Sequence, residues 1–149
     1  MFKKVLFPTD FSECSESVIP YLKKLKKSGT REVVVIHVID SRYSGFIETV
    51  GWFGETVQQY ESDMYESIRR ETEKQLEKIR KKLSPFFKVK IRIENGVPFK
   101  VIIDSAEKER VSLIILGSHG KSNIEEMLLG SVSEKVIRKS KKPCLVIKR

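Results

Sequence analysis

The chain is 149 residues long, 40% hydrophobic and 33% charged, with a formal net charge of +9 at pH 7. That length suits one domain, here residues 1–149, able to bury a core without disulfide or metal staples, and no apolar stretch is long enough to cross a bilayer. Residues 1–11 carry Lys3, Lys4 and Asp10 around a short apolar run and read as a strand rather than a secretory leader, so a cytoplasmic location is expected.

An excess of Lys and Arg suits a phosphate backbone when it is clustered. Along this sequence the basic residues are spread over 23–27, 69–82 and 135–142, interleaved with apolar positions at helical spacing as on solvated helix faces. Specific nucleic-acid binding is therefore not expected, nor is a membrane partner. Cys14 and Cys144 stand at opposite ends in no metal or redox spacing, and two histidines are too few for a multi-His site, so no protein-held metal is expected.

Residues 2–7 form the first expected strand. Ser12 or Ser15 caps a helix running to Lys27 with Val18, Tyr21, Leu22 and Leu25 inward, and Ser28-Gly29-Thr30 ends it. Residues 32–39 are β-branched and almost continuously apolar, the pattern of a strand buried on both faces, and His37 is a strand residue with a satisfied imidazole. Residues 41–56 mix three glycines with Tyr43, Phe46, Trp52 and Phe53 and favour neither a long helix nor a strand.

Residues 57–83 place Tyr60, Met64, Ile68, Leu76, Ile79 and Leu83 at intervals of a long amphipathic helix, with all six expected in the core, and Ser84-Pro85 stops it. Residues 87–93 alternate Val89, Ile91 and Ile93 with Lys88, Lys90 and Arg92, as an edge strand with one wet face does. Asn95-Gly96-Val97-Pro98 leads into a helix over 99–109. A buried strand over 113–116, a short helical piece over 122–129, a helix over 132–139 and a last strand from Pro143 complete the order. Strand and helix alternate as in an α/β fold, a mostly parallel open sheet of five strands with helices on both faces in Rossmann-like or flavodoxin-like layers.

One motif stands out. Gly117-Ser118-His119-Gly120 comes straight off the buried strand and is followed after nine residues by Gly130-Ser131. Glycines let backbone N–H groups approach an anion, and a helix beginning at Ser131 aims its positive end at the same place. Ser131-Val132-Ser133-Glu134 also fits a capping box, in which Ser131 caps the helix whether or not a phosphate arrives. Neither a G-x4-G-K-[ST] loop nor an early G-x-G-x-x-G is present.

The G-x2-G-x9-G-S spacing, taken with residues 5–12 (VLFPTDFS) and 35–40 (VIHVID), resembles the ATP-binding branch of the universal stress protein family. The likeness runs from Lys4 to Lys148 and is weakest over 41–59. It implies strand order 3-2-1-4-5, which puts the switch of crossover direction between the first and fourth strands, where open α/β sheets bind ligands. Pro8, Thr9 and Asp10 leave one of those strands and Gly117, Ser118, His119 and Gly120 the other.

The resemblance implies ATP, with Mg²⁺, in that crevice. Asp10 would accept hydrogen bonds from ribose hydroxyls or serve as an Asx turn, Pro8 and Thr9 would set the turn, and the resemblance implies that Val38 meets adenine through its backbone. Gly117 to Gly120 would wrap the phosphates, with Gly130, Ser131, Val132 and Ser133 closing the far side and Lys121, Ser122 and Asn123 near enough to help. Asp10, Asp40 and His119 are the only candidates for catalysis, and no spacing assigns them that work; Ser118 beside His119 is not read as a nucleophile–base pair. The expected role is a nucleotide-dependent regulatory switch acting on an unknown protein partner. The alternatives are a slow ATP hydrolase, a scaffold without nucleotide, and a nucleic-acid-binding protein. The resemblance also implies a homodimer through the strand from Pro143 to Lys148, whose apolar Leu145-Val146-Ile147 edge would otherwise leave ladder groups unpaired.

Overall fold

Val33, Val34, Val35 and Ile36 are all buried, which only a strand covered on both faces achieves. In the computed structural model, which describes residues 1–44, 54–120 and 129–148, that strand lies second in a five-stranded parallel sheet. The strands are β1 (Lys4–Pro8), β2 (Glu32–Asp40), β3 (Lys88–Gly96), β4 (Leu113–Gly117) and β5 (Cys144–Ile147). Their order is β3-β2-β1-β4-β5, with β1 registered on β2 from Lys4↔Glu32 to Pro8↔Ile36 and on β4 through Val5↔Leu113. The alternating residues 87–93 do form the edge strand expected of them, shifted to begin at Lys88.

Side chains alternate between two cores, as the pleat requires. One face carries Val5, Phe7, Val33, Val35, Leu113 and Ile115 against helix α2 (Val18–Leu25) and helix α4 (Gly54–Leu83). The other carries Leu6, Val34, Ile36, Ile114 and Leu116 against helix α5 (Pro98–Lys108) and helix α6 (Ser131–Lys139). Pro98 stands in the first turn of α5, where a missing N–H costs nothing.

Several local expectations need correction. The helix expected from Ser12 to Lys27 is broken into α1 (Glu13–Glu16), α2 and a 3₁₀ turn (Lys26–Ser28); Ser12 caps α1 through Ser15 N–H at 3.1 Å, and Gly29 ends the turn at φ +92°. Ile19, not Tyr21, joins the inner face of α2: Val18, Ile19 and Leu22 are buried and Tyr21 is 42% exposed. A helical turn, α3 (Ser41–Ser44), follows β2, and the long helix starts at Gly54 rather than Val57. Its amphipathic pattern is half right. Leu76, Ile79 and Leu83 are buried, whereas Tyr60 (67% exposed), Met64 and Ile68 face outward; Thr72 is buried in their place, and Tyr65 OH accepts from Asn95 Nδ2–H of β3 at 2.6 Å. The helical piece expected over 122–129 falls almost wholly outside the described residues. Among the described residues no helix is long and apolar enough to cross a membrane.

Candidate functional site

β1 and β4 are neighbours, so the turns leaving their carboxyl ends meet. After β1, Thr9 N–H donates to Ile36 O at 2.9 Å, and His37 Nδ1–H donates to Thr9 O at 2.8 Å. The imidazole is thus satisfied as expected, and it stacks on Phe11 with centroids 4.7 Å apart. Thr9 Oγ1 accepts from Phe11 N–H (3.1 Å) and Ser15 Oγ–H (2.7 Å), while Asp10 Oδ1 accepts from Ser12 N–H (3.1 Å). These side-chain bonds hold Phe11 at φ +63°, a left-handed conformation that a bulky residue rarely adopts unaided.

After β4, Ser118 N–H donates to Ile147 O at 2.9 Å, and Ser118 Oγ lies 2.8 Å from His119 Nδ1. The chain returns at Gly130, whose N–H donates to Ser118 O at 2.6 Å. Ser133 Oγ–H donates to Gly117 O at 2.8 Å, tying α6 to the loop. Gly130 thus stands beside Gly120, a Cβ on it lying 3.5 Å from Gly120 N.

The three glycines have separate jobs. A Cβ on Gly117 would lie 2.9 Å from Cys14 O, so this glycine admits the backbone of α1 against β4. At Gly130 a Cβ would stand 3.3 Å from both His119 Cα and Ser118 O, so this one lets the loop close. A Cβ on Gly120 would come within 2.7 Å of Asp10 Oδ2, which brings the two turns into contact.

α6 begins at Ser131, as the motif requires, but through Gly130 as its N-cap and without a side-chain capping bond. The capping-box expectation is therefore corrected: Ser131 is the first helical residue, and Ser133 spends its hydroxyl on Gly117 O. The first intrahelical bond is Glu134 N–H to Gly130 O, so the helix itself provides no acceptor for the N–H groups of Ser131, Val132 and Ser133. Thr9, Ser118 and Ser133 are all buried. Their hydroxyls build the loops, and backbone N–H groups with the dipole of α6 are what the site offers an anion.

Val38 lies near the same end of the sheet, two residues past Ile36, the register partner of Pro8. Lys121, Ser122 and Asn123 lie outside the described residues. Of the catalytic candidates, Asp40 is paired with Arg42, whose guanidinium hydrogen-bonds hold its carboxyl below the ordinary range. The Ser118 hydroxyl is buried and bonded to His119 Nδ1 within the loop, leaving only its backbone to face a ligand. Sequence reading missed Cys14, Ser15 and Phe11. Cys14 Sγ sits under the loop, 3.6 Å from Ser118 Oγ and 3.9 Å from Ile147 O, contacts between residues more than 100 positions apart that no local pattern signals.

Both cysteines are free thiols, and among the described residues no cluster of three or more His, Cys, Asp or Glu could hold a metal. A cleft of about 530 Å³ between α4 and β3 is lined by Arg69, Glu73, Lys74, Glu77, Ile91 and Ile93. Its walls are partly ion-paired, Arg69 to Glu73 at 3.3 Å, and it has neither glycine loop nor helix N-terminus, so it lacks the anion chemistry of the β1/β4 crevice.

A parallel sheet of order 3-2-1-4-5 with a glycine motif and a helix N-terminus at its switch point is a Rossmann-like, doubly wound α/β architecture. The chain belongs to the universal stress protein family, whose profile matches residues 1–148. Universal stress protein MJ0577 of Methanocaldococcus jannaschii is 42% identical over 157 residues, covering 100% of this chain and 96% of that protein. The solved structure of MJ0577 superposes with a TM-score of 0.88 at 43% identity, covering 100% and 97% of the two chains. The crystal structure of hypothetical protein PH0823 superposes at 0.73 with 36% identity, with the same coverage. An Arabidopsis thaliana family member solved with AMP bound shares the fold at 0.67 and 19% identity, covering 99% of this chain and 92% of that one.

Proposed function

We propose that this chain is a nucleotide-dependent regulatory member of its family that binds ATP, with Mg²⁺, in the crevice between β1 and β4. The apposition of Asp10 and Gly120 carries the reading, because it makes one site of a carboxylate turn and a backbone-lined anion loop. A carboxylate that close to a phosphate would repel it, so Asp10 suits ribose hydroxyls or the cation that accompanies the phosphates. Gly117 to Gly120 with Gly130 and the first turn of α6, Ser131 to Ser133, suit the phosphates. Pro8, Thr9 and the backbone of Val38 suit the sugar and base. Lys121, Ser122 and Asn123 belong to the same proposed set by their place in the chain. Bound Mg²⁺ would neutralise phosphate charge; it would arrive with the nucleotide rather than in a protein cage.

The AMP reported for the Arabidopsis relative, and the cAMP reported for another solved family member, support an adenine nucleotide as the ligand class. The switch reading is favoured over hydrolysis because the three catalytic candidates are engaged within the protein: Asp10 by Ser12 N–H, Asp40 by Arg42 and His119 by Ser118 Oγ. We extend the reading to a single cytoplasmic domain that forms a homodimer, with β5 and its flanking residues, Pro143 to Lys148, pairing antiparallel with a copy. The half-exposed Leu145 on this sheet edge supports that pairing. Mass spectrometry of small molecules released from freshly purified, denatured protein tests the ligand: an adenine nucleotide near one per chain is expected, and its absence even after incubation with MgATP would defeat the proposal.

A further inference from the structure

The positive charge that looks dispersed along the sequence is gathered by the fold. Residues 17–31 contain five basic residues and no acid, and residues 78–93 contain seven and no acid. α2 and α4 pack on one face of the sheet and end at the same pole, where Lys23 Nζ lies 5.0 Å from the centroid of Phe86 and Lys26 Nζ 5.8 Å from that of Phe87. Lys88 N–H donates to Arg31 O at 2.9 Å, so the starts of β2 and β3 join the same surface. This pole lies at the amino ends of the strands, opposite the β1/β4 crevice.

Of the seven in residues 78–93, five are neutralised locally: Arg80 on Glu77, Lys82 on Glu16 (3.6 Å), Lys88 on Glu32 (3.9 Å), Lys90 on Glu109 (2.6 Å) and Arg92 on Glu94 and Glu109. Lys23, Lys26, Lys27 and Lys81 form no ion pair among the described residues. Lysines at helix carboxyl ends complement the dipole, which accounts for their presence but not for the exposed rings among them. Phe86 is 39% exposed and Tyr21 42%.

We infer that this basic, aromatic pole is a second binding surface, for single-stranded nucleic acid. Flexible ammonium groups track a phosphate backbone, and exposed rings beside them give bases a stacking partner; together these make the usual sequence-tolerant single-strand platform. An anionic bilayer fits less well. A helix that lies in a membrane needs a free apolar face, and Val18, Ile19 and Leu22 of α2 are buried against the sheet.

The test is fluorescence anisotropy of labelled oligothymidylate of about 20 nucleotides, titrated at several salt concentrations. The wild type should bind, and the triple variant Lys23→Gln, Lys26→Gln, Lys27→Gln should bind at least about tenfold more weakly, its log–log salt slope smaller by about 2. A control with the same charge change elsewhere, Lys100→Gln, Lys108→Gln, Lys141→Gln, should lose less than about threefold if the site is local. Phe86→Ala should weaken single-strand binding several-fold and leave duplex binding unchanged. The crevice variant Gly130→Val should bind the oligomer as the wild type does, which separates this surface from the nucleotide site. No binding near 50 mM salt, equal losses in the two triple variants, or binding only to phosphatidylserine vesicles would each overturn the inference.

Discussion

The carboxylate of Asp10 reaches across the switch point of the sheet toward Gly120, so close that a methyl group on Gly120 would lie 2.7 Å from Oδ2. Two turns separated by more than a hundred residues are thereby placed at a fixed distance, with the amino end of α6 beside them.

Gly120→Ala should therefore force the Asp10 carboxylate to move. Overlap with a carboxylate costs on the order of 1–3 kcal/mol unless the side chain swings away, and swinging away would break the Asp10 bond to Ser12 N–H. Chemical denaturation should show the loss, and the double variant Asp10→Ala, Gly120→Ala should recover part of it. If the two losses simply add, the contact has no energetic consequence.

Gly117→Ala should act on the fold instead. Its Cβ would meet the backbone of Cys14 at 2.9 Å, and backbone cannot rotate aside as a side chain can, so α1 must shift at a cost of about 1–3 kcal/mol. A urea midpoint equal to that of the wild type would contradict this packing role.

These assignments also show what the sequence could and could not reveal. Strand order and the place of the glycine motif at the end of β4 are legible because the motif follows an apolar run and because the family likeness supplies the order. The jobs of the individual glycines were not legible, since each depends on a partner distant in sequence: Cys14, Asp10 or His119. The outer half of α4 misled for a related reason. Steps of four residues drift about 40° each around a helix, so Tyr60, Met64 and Ile68 rotate progressively away from the face of Leu76, and Tyr65 and Thr72 take the inner positions instead. Similarly, the basic residues looked diffuse until α2 and α4 were seen to end together.

That division predicts a contrast within one helix. Leu76→Ala, at a fully buried site, should cost about 2–5 kcal/mol, whereas Met64→Ala should stay within about 0.5 kcal/mol. Thermal unfolding of the two variants is the check, and comparable losses would mean that the outer half of α4 is packed against something.

Glu109 provides the clearest pH dependence. Its side chain is only 8% exposed and accepts from Lys90 (2.6 Å), Lys4 (2.9 Å) and Arg92 (2.7 Å), joining the end of α5 to β1 and β3. Hydrogen bonds from Lys90, then Lys4, then Arg92 outweigh its desolvation and hold its pKa down to about 2. A folded pKa below the unfolded one stabilises the protein fully above about pH 4.5, and that contribution is lost as pH falls toward 2. With Lys90 half in solvent the contribution is on the order of 1–3 kcal/mol. Stability measured against pH should decline over that window, and Glu109→Gln should remove most of this group's share of the decline while lowering stability at neutral pH.

The proposed binding of MgATP in the β1/β4 crevice is tested by isothermal titration calorimetry of ATP into the wild type and Gly130→Val. In the variant, branched carbons would replace a glycine whose Cβ would already stand 3.3 Å from Ser118 O, spoiling loop closure and phosphate approach together. The account predicts saturable binding of one ATP per wild-type chain and an affinity at least about tenfold lower in the folded variant. Absence of saturable binding to the wild type, or equal affinity in the two proteins, would contradict it.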